Sequence, residues 1–75
     1  MVCYLRCVNN THSPLISVHD ENSVIFSDIK QHKATQFIPY RAGTSYLTAT
    51  DVSGREIDTV HYGFLPGEQY TVEFY

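Results

Sequence analysis

Apolar and polar side chains alternate along almost the whole chain, and only short clusters of turn-forming residues interrupt the alternation. In residues 2–8, Cys3, Leu5 and Cys7 share one face while Val2, Tyr4, Arg6 and Val8 share the other. A period of two is the period of a β-strand, and apolar groups on both faces predict a strand covered on each side. Asn9-Asn10-Thr11-His12-Ser13-Pro14 breaks the pattern with turn formers. A second strand is expected over residues 15–19, a turn at Asp20-Glu21-Asn22-Ser23, and a β-branched and aromatic third strand at Val24-Ile25-Phe26. Strand character resumes at Thr35-Gln36-Phe37-Ile38 until Pro39 removes a ladder donor, which implies an edge or a strand end. Three further strands follow over residues 44–50, 55–62 and 69–75. They are separated by Asp51-Val52-Ser53-Gly54 and by Leu65-Pro66-Gly67-Glu68, where Pro and Gly stand as in a type II turn.

About seven short strands, with no sustained helical period, predict an all-β fold: a small antiparallel β-sandwich or barrel in a single domain spanning residues 1–75. The expected inward set is Leu5, Ile16, Val18, Val24, Phe26, Phe37, Leu47, Ile57, Val60, Tyr70, Val72 and Phe74, with register deciding its exact members. A chain of 75 residues buries only about 60–65% of its unfolded surface. A core of that size supplies roughly 3–5 kcal/mol, so domains of this kind commonly add disulfides, a metal or partner subunits.

The two cysteines bear on that choice. Cys3 and Cys7 lie on the same face of one strand, about 13 Å apart, roughly twice the separation a disulfide spans. They cannot bond to each other while the strand stays extended. Two fates stand open: buried thiols in a core, or disulfides to other chains, with residues 1–8 acting as a connector strand between subunits.

Charge narrows the range of partners. The net charge of −3 and an isoelectric point near 5.7, with five scattered Lys and Arg, offer no clustered basic surface for nucleic acid. No apolar run approaches the roughly 20 residues of a membrane span, and the segment after Met1 turns polar too soon for a signal peptide. The histidines His12, His19, His32 and His61 fall in no metal-ligand spacing, so neither a metal nor any other cofactor is expected. Asp20 beside His19, and Asp58 near His61, are poor acid–base pairs, since neighbours on a strand point to opposite faces. No elbow or loop signature marks a nucleophile, and the chain is read as non-enzymatic. Among six tyrosines, Tyr4, Tyr40, Tyr62 and Tyr75 are expected on the outer surface. Such a cluster reads as a subunit interface in a homo-oligomer or polymer, or else as a glycan- or peptide-binding strip on a monomer.

Residues 16–26 (Ile16-Ser17-Val18-His19-Asp20-Glu21-Asn22-Ser23-Val24-Ile25-Phe26), the segment Thr35-Gln36-Phe37-Ile38-Pro39-Tyr40-Arg41-Ala42-Gly43-Thr44 and the closing Leu65-Pro66-Gly67-Glu68-Gln69-Tyr70-Thr71-Val72 together resemble a bacterial family of immunoglobulin-like domains, domain of unknown function 4397. The family's His-Ala-Ser-Pro after the first strand is replaced here by Asn9-Asn10-Thr11-His12-Ser13-Pro14, and the hairpin turn lacks the usual glycine. The resemblance implies an immunoglobulin-like sandwich at a bacterial cell or spore surface, or secreted, and carries over no catalytic residue. Together with the thin core and the cysteine pair, it suggests a self-associating structural subunit of a bacterial surface or spore-associated assembly. Disulfides between chains through Cys3 and Cys7 would link such subunits into a filament or fibre, a ring where the rotation closes, or a dimer where pairing is symmetric.

Overall fold

A computed structural model describes residues 1–75. Seven strands run in chain order: β1 (Val2–Asn9), β2 (Leu15–His19), β3 (Val24–Lys30), β4 (Ile38–Arg41), β5 (Gly43–Thr50), β6 (Glu56–Phe64) and β7 (Gln69–Phe74). They form two packed sheets, one of three strands in the order β4-β1-β7 and one of four in the order β3-β2-β5-β6. The all-β sandwich expected from the alternation is the observed fold. One pairing departs from an antiparallel design: β1 runs parallel to β7, with Tyr4 beside Gln69 through Asn9 beside Phe74. The polarity pattern of a strand does not encode the direction of its neighbour, so this pairing had no signal in the sequence.

Local chemistry sets the turns. At the β2–β3 hairpin the Asp20 carboxylate accepts hydrogen bonds from the amides of Asn22 (2.8 Å) and Ser23 (2.9 Å), so a side chain closes the turn in place of glycine. At the β5–β6 hairpin Asp51 does the same for the amides of Ser53 and Arg55. Gly54 there adopts a positive φ of 86°, a conformation that costs a residue lacking Cβ little. A single residue, Ala42, separates β4 in one sheet from β5 in the other, so the chain crosses between the sheets there.

The core lies between the sheets and contains Cys3, Leu5, Cys7, Ile16, Val18, Phe26, Ile29, Tyr40, Leu47, Ala49, Phe64, Val72 and Phe74. Of the expected inward set, Ile57, Val60 and Tyr70 are only partly buried but pack against this cluster. Val24 is 59% exposed and Phe37 39% exposed, so both leave the core. Val24 opens β3 beside the hairpin turn, and Phe37 precedes β4, its ring covered on one face by the Arg6 guanidinium at 4.8 Å. That cation–π contact occupies the ring without burying it.

Asn9 continues the inward face of β1 although it reads as the first residue of a turn. Fully buried, it has all its polar atoms engaged. Its amide donates to the carbonyls of Ser13 (3.1 Å) and Ile29 (2.9 Å), and its oxygen accepts from the amide (3.0 Å) and hydroxyl (2.6 Å) of Thr11. One side chain thus fixes the β1–β2 loop to β3. Asn9→Ala would leave several of these groups buried without partners, and is expected to destabilise the domain by roughly 2–3 kcal/mol. Urea unfolding should show a lower midpoint with unchanged slope. A loss below about 0.5 kcal/mol, the range of ordinary surface substitutions, would contradict this account.

Candidate functional site

The tyrosines proposed as an interface separate in the fold. Tyr4, Tyr62 and Tyr75 are exposed, at 41%, 37% and 76% of their surface. Tyr40 is not, and its placement on the outer face is corrected. It is buried, with its ring edge-on to Phe64 at 5.5 Å and its hydroxyl donating to Asp20 Oδ2 at 2.6 Å. The reason lies in register. Tyr40 stands opposite Cys3 across the β1–β4 ladder, and residues directly opposite share a face.

Cys3 and Cys7 are both free and fully buried. The strand that carries them is the central one of its sheet, hydrogen-bonded on both sides. A connector strand would have to leave that position and expose the core, so in the folded chain residues 1–8 hold their own sandwich together and neither thiol is presented to another molecule. Burial pushes the Cys7 thiol up to about 12 and raises Cys3 as well, a backbone hydrogen bond opposing it. Thiolate, the reactive form, is therefore disfavoured at both.

Where side-chain chemistry does concentrate is around Asp20. Burial raises its pKa, but the hydrogen bond from Tyr40, those from the Asn22 and Ser23 amides and the charge of Arg41 together outweigh burial and leave it below its ordinary value. Burial first, then the bond to Asp20, push the Tyr40 phenol up to about 12, with Ser45 and Arg41 opposing. Arg41 reaches Glu21 at 3.1 Å, and Glu21 accepts the Tyr46 amide. Each group here stabilises the β2–β3 turn against β4 and β5, and none faces a cavity. No three His, Cys, Asp or Glu side chains come together in a group that could hold a metal ion. On the outer face His61 stacks on Tyr46, centroids 4.4 Å apart.

A second concentration of polar and aromatic groups lies along β7. On its outer face stand Gln69, Thr71 and Glu73, all exposed. Two of the exposed tyrosines flank them: Tyr4 in register with Gln69 on β1, and Tyr75, whose hydroxyl donates to Glu73 Oε2 at 2.8 Å. Asn10 donates to the same oxygen at 2.9 Å, and the Arg6 Nε donates to the Thr71 hydroxyl at 2.9 Å. No sequence motif marks this strip, because it is made of ordinary strand residues whose importance depends on β7 being an edge.

No protein-family model, curated protein or solved structure matches the chain.

The Asp20–Tyr40 pair has a readable pH signature. A depressed carboxylate contributes stability above its unfolded pKa of 3.8 and loses it as pH falls through the lower folded value. A raised phenol contributes stability below its unfolded 10.0 and loses it as pH rises from there to about 12. Tyr40→Phe should therefore weaken both limbs of the stability profile. At pH 7 it should cost roughly 1.5–3 kcal/mol, as for a hydrogen bond to a charged group. Denaturant unfolding at a series of pH values would refute this pairing if wild type and variant had parallel profiles.

Proposed function

We propose that the chain is a non-enzymatic structural subunit that works by self-association through a sheet edge. An open edge presents a row of free N–H and C=O groups, and natural sheets block such edges with short strands, proline, bulges or inward charges. Three of the four edges here carry such devices. β4 is four residues long and contains Pro39. The ladder of β3 is irregular, shifting register twice against β2, and Asp28 within it has a φ of 56°. β6 has a register shift at Ile57, where Thr50 pairs with Glu56, and Asp58 opposite buried Ala49 points a charge to the inner side. β7 has none of these: six residues in unbroken register with β1, with no proline, lysine or bulge.

This uneven protection is the observation that supports the reading. The exposed Tyr4 and Tyr75 beside the open edge add apolar surface where a partner strand would lie. Self-association on this route needs no disulfide, in keeping with thiols that are buried and hard to ionise. It also fits a thin core that gains from a partner subunit.

Light scattering coupled to size-exclusion chromatography should show the mean mass rising above the 8.6 kDa of one chain as concentration increases through the micromolar range. Reductant should leave that rise unchanged, and both thiols should react with an aromatic disulfide reagent only in denaturant. A single monomer at every concentration would overturn the proposal.

A further inference from the structure

Which second strand fits the β7 edge follows from the direction of its backbone groups, given the self-association just proposed, on which this inference rests. The Tyr4 amide donates to Glu68 O at 2.9 Å and the Asn10 amide to Phe74 O at 2.8 Å. Alternate residues of a strand point their N–H and C=O to opposite sides. The carbonyls of residues 68 and 74 face β1, so those of the even-numbered residues between them do too. Gln69, Thr71 and Glu73 then send their backbone groups outward to the open edge.

We infer that β7 pairs antiparallel with β7 of a second copy of this chain, about a two-fold axis at Thr71. In an antiparallel pair, residues that exchange both hydrogen bonds stand directly opposite one another. Centring on Thr71 sets Thr71 against Thr71 of the second copy, and Gln69 against Glu73 of the second copy, twice by symmetry. All three outward-facing residues of each chain are thereby engaged. An axis at Tyr70 or Val72 engages only two.

Side-chain chemistry selects the same arrangement. Glu73 is the only charged residue of β7. Parallel pairing would place it beside its own copy, a repulsion, whereas the two-fold pairing gives it the Gln69 carboxamide, whose N–H groups donate to a carboxylate. The donors already on Glu73, from Asn10 and Tyr75, both reach Oε2, so neither occupies Oε1. On the inner face Tyr70, half-buried in one chain, meets Val72 of the second. The product is one continuous sheet with three strands from each chain, ended on both sides by the proline-bearing β4. Because the same surface is used by both subunits, the assembly closes at two and does not propagate.

Three variants test this by sedimentation or light scattering over a concentration series. Thr71→Pro removes an outward N–H that serves no bond within the chain, and should abolish dimer while leaving the far-UV spectrum unchanged. Gln69→Glu should weaken dimerisation by about twofold to fivefold through like charges opposite each other, and Gln69→Lys should strengthen it by a similar factor. Both effects should vanish in a Glu73→Gln background. If Thr71→Pro fails to fold, the exposed position 69 still decides the matter. Association that ignores all of these changes, or a mass that grows past two chains, overturns this pairing and leaves self-association standing. A wild type that stays monomeric removes both.

Discussion

Cys3, Leu5, Cys7 and Asn9 all point inward from β1 and all are fully buried, an unbroken buried face on the strand at the centre of its sheet. Its neighbours on either side, β4 and β7, make the three-stranded sheet wide enough to cover β2 and β5 of the other sheet. Each fully buried residue saves roughly 1.5–3 kcal/mol of apolar transfer when its side chain is large. In a domain whose total stability is only several kcal/mol, the loss of this strand from its slot would remove the sandwich itself. The same placement determines the chemistry of the thiols, which are core material because their strand is.

The polar interior is organised around two short side chains at opposite ends of the sandwich. Asn9 ties the β1–β2 loop to β3, and Asp20 ties the β2–β3 turn to Tyr40 and so to β4. Both are satisfied by several donors or acceptors, and no buried side-chain polar atom lacks a partner. Such groups specify register as well as stability, because a slip of two residues, which keeps the apolar face inward, would still orphan them. Protection of β3 and β6 against further pairing comes from backbone irregularity and that of β4 from its shortness and Pro39, and it is the unbroken length of β7 that sets it apart.

How much of this was legible in the chain depends on the range of the interaction concerned. Most strand positions followed from alternation, and turns from Asp, Asn, Pro and Gly, because both are local: β2 runs over residues 15–19 as expected, and Gly67 has the positive φ of 79° that a type II turn requires. The fourth strand, expected over residues 35–38, lies instead at Ile38–Arg41 with Pro39 inside it, a place that an edge strand tolerates. Inward residues in regular strands, such as Leu5, Val18 and Leu47, were legible for the same reason. Ile29 and Phe64 were missed because β3 and β6 extend beyond their apolar runs, through Asp28 and through Gly63. Tyr40 was misplaced because its face is set by pairing with Cys3, some 37 positions away, and nothing local carries that. The β7 strip was invisible for a like reason. Gln69, Thr71 and Glu73 are unremarkable until the parallel pairing with β1 shows which side of the strand is open.

That parallel pairing joins segments 65 positions apart, as between Arg6 and Thr71. Contacts of such long range close late, since a large loop must be ordered before any of them forms. The β2–β3 and β5–β6 hairpins can assemble early from neighbouring residues, but the sheet that shields the cysteines is incomplete until β7 arrives. During synthesis on a ribosome, β1 emerges before the other six strands and waits for β7, the last of them. Until that closure Cys3 and Cys7 lack the cover that buries them in the finished fold, so the shielding of the thiols is a matter of when β7 docks as well as of how stable the sandwich is.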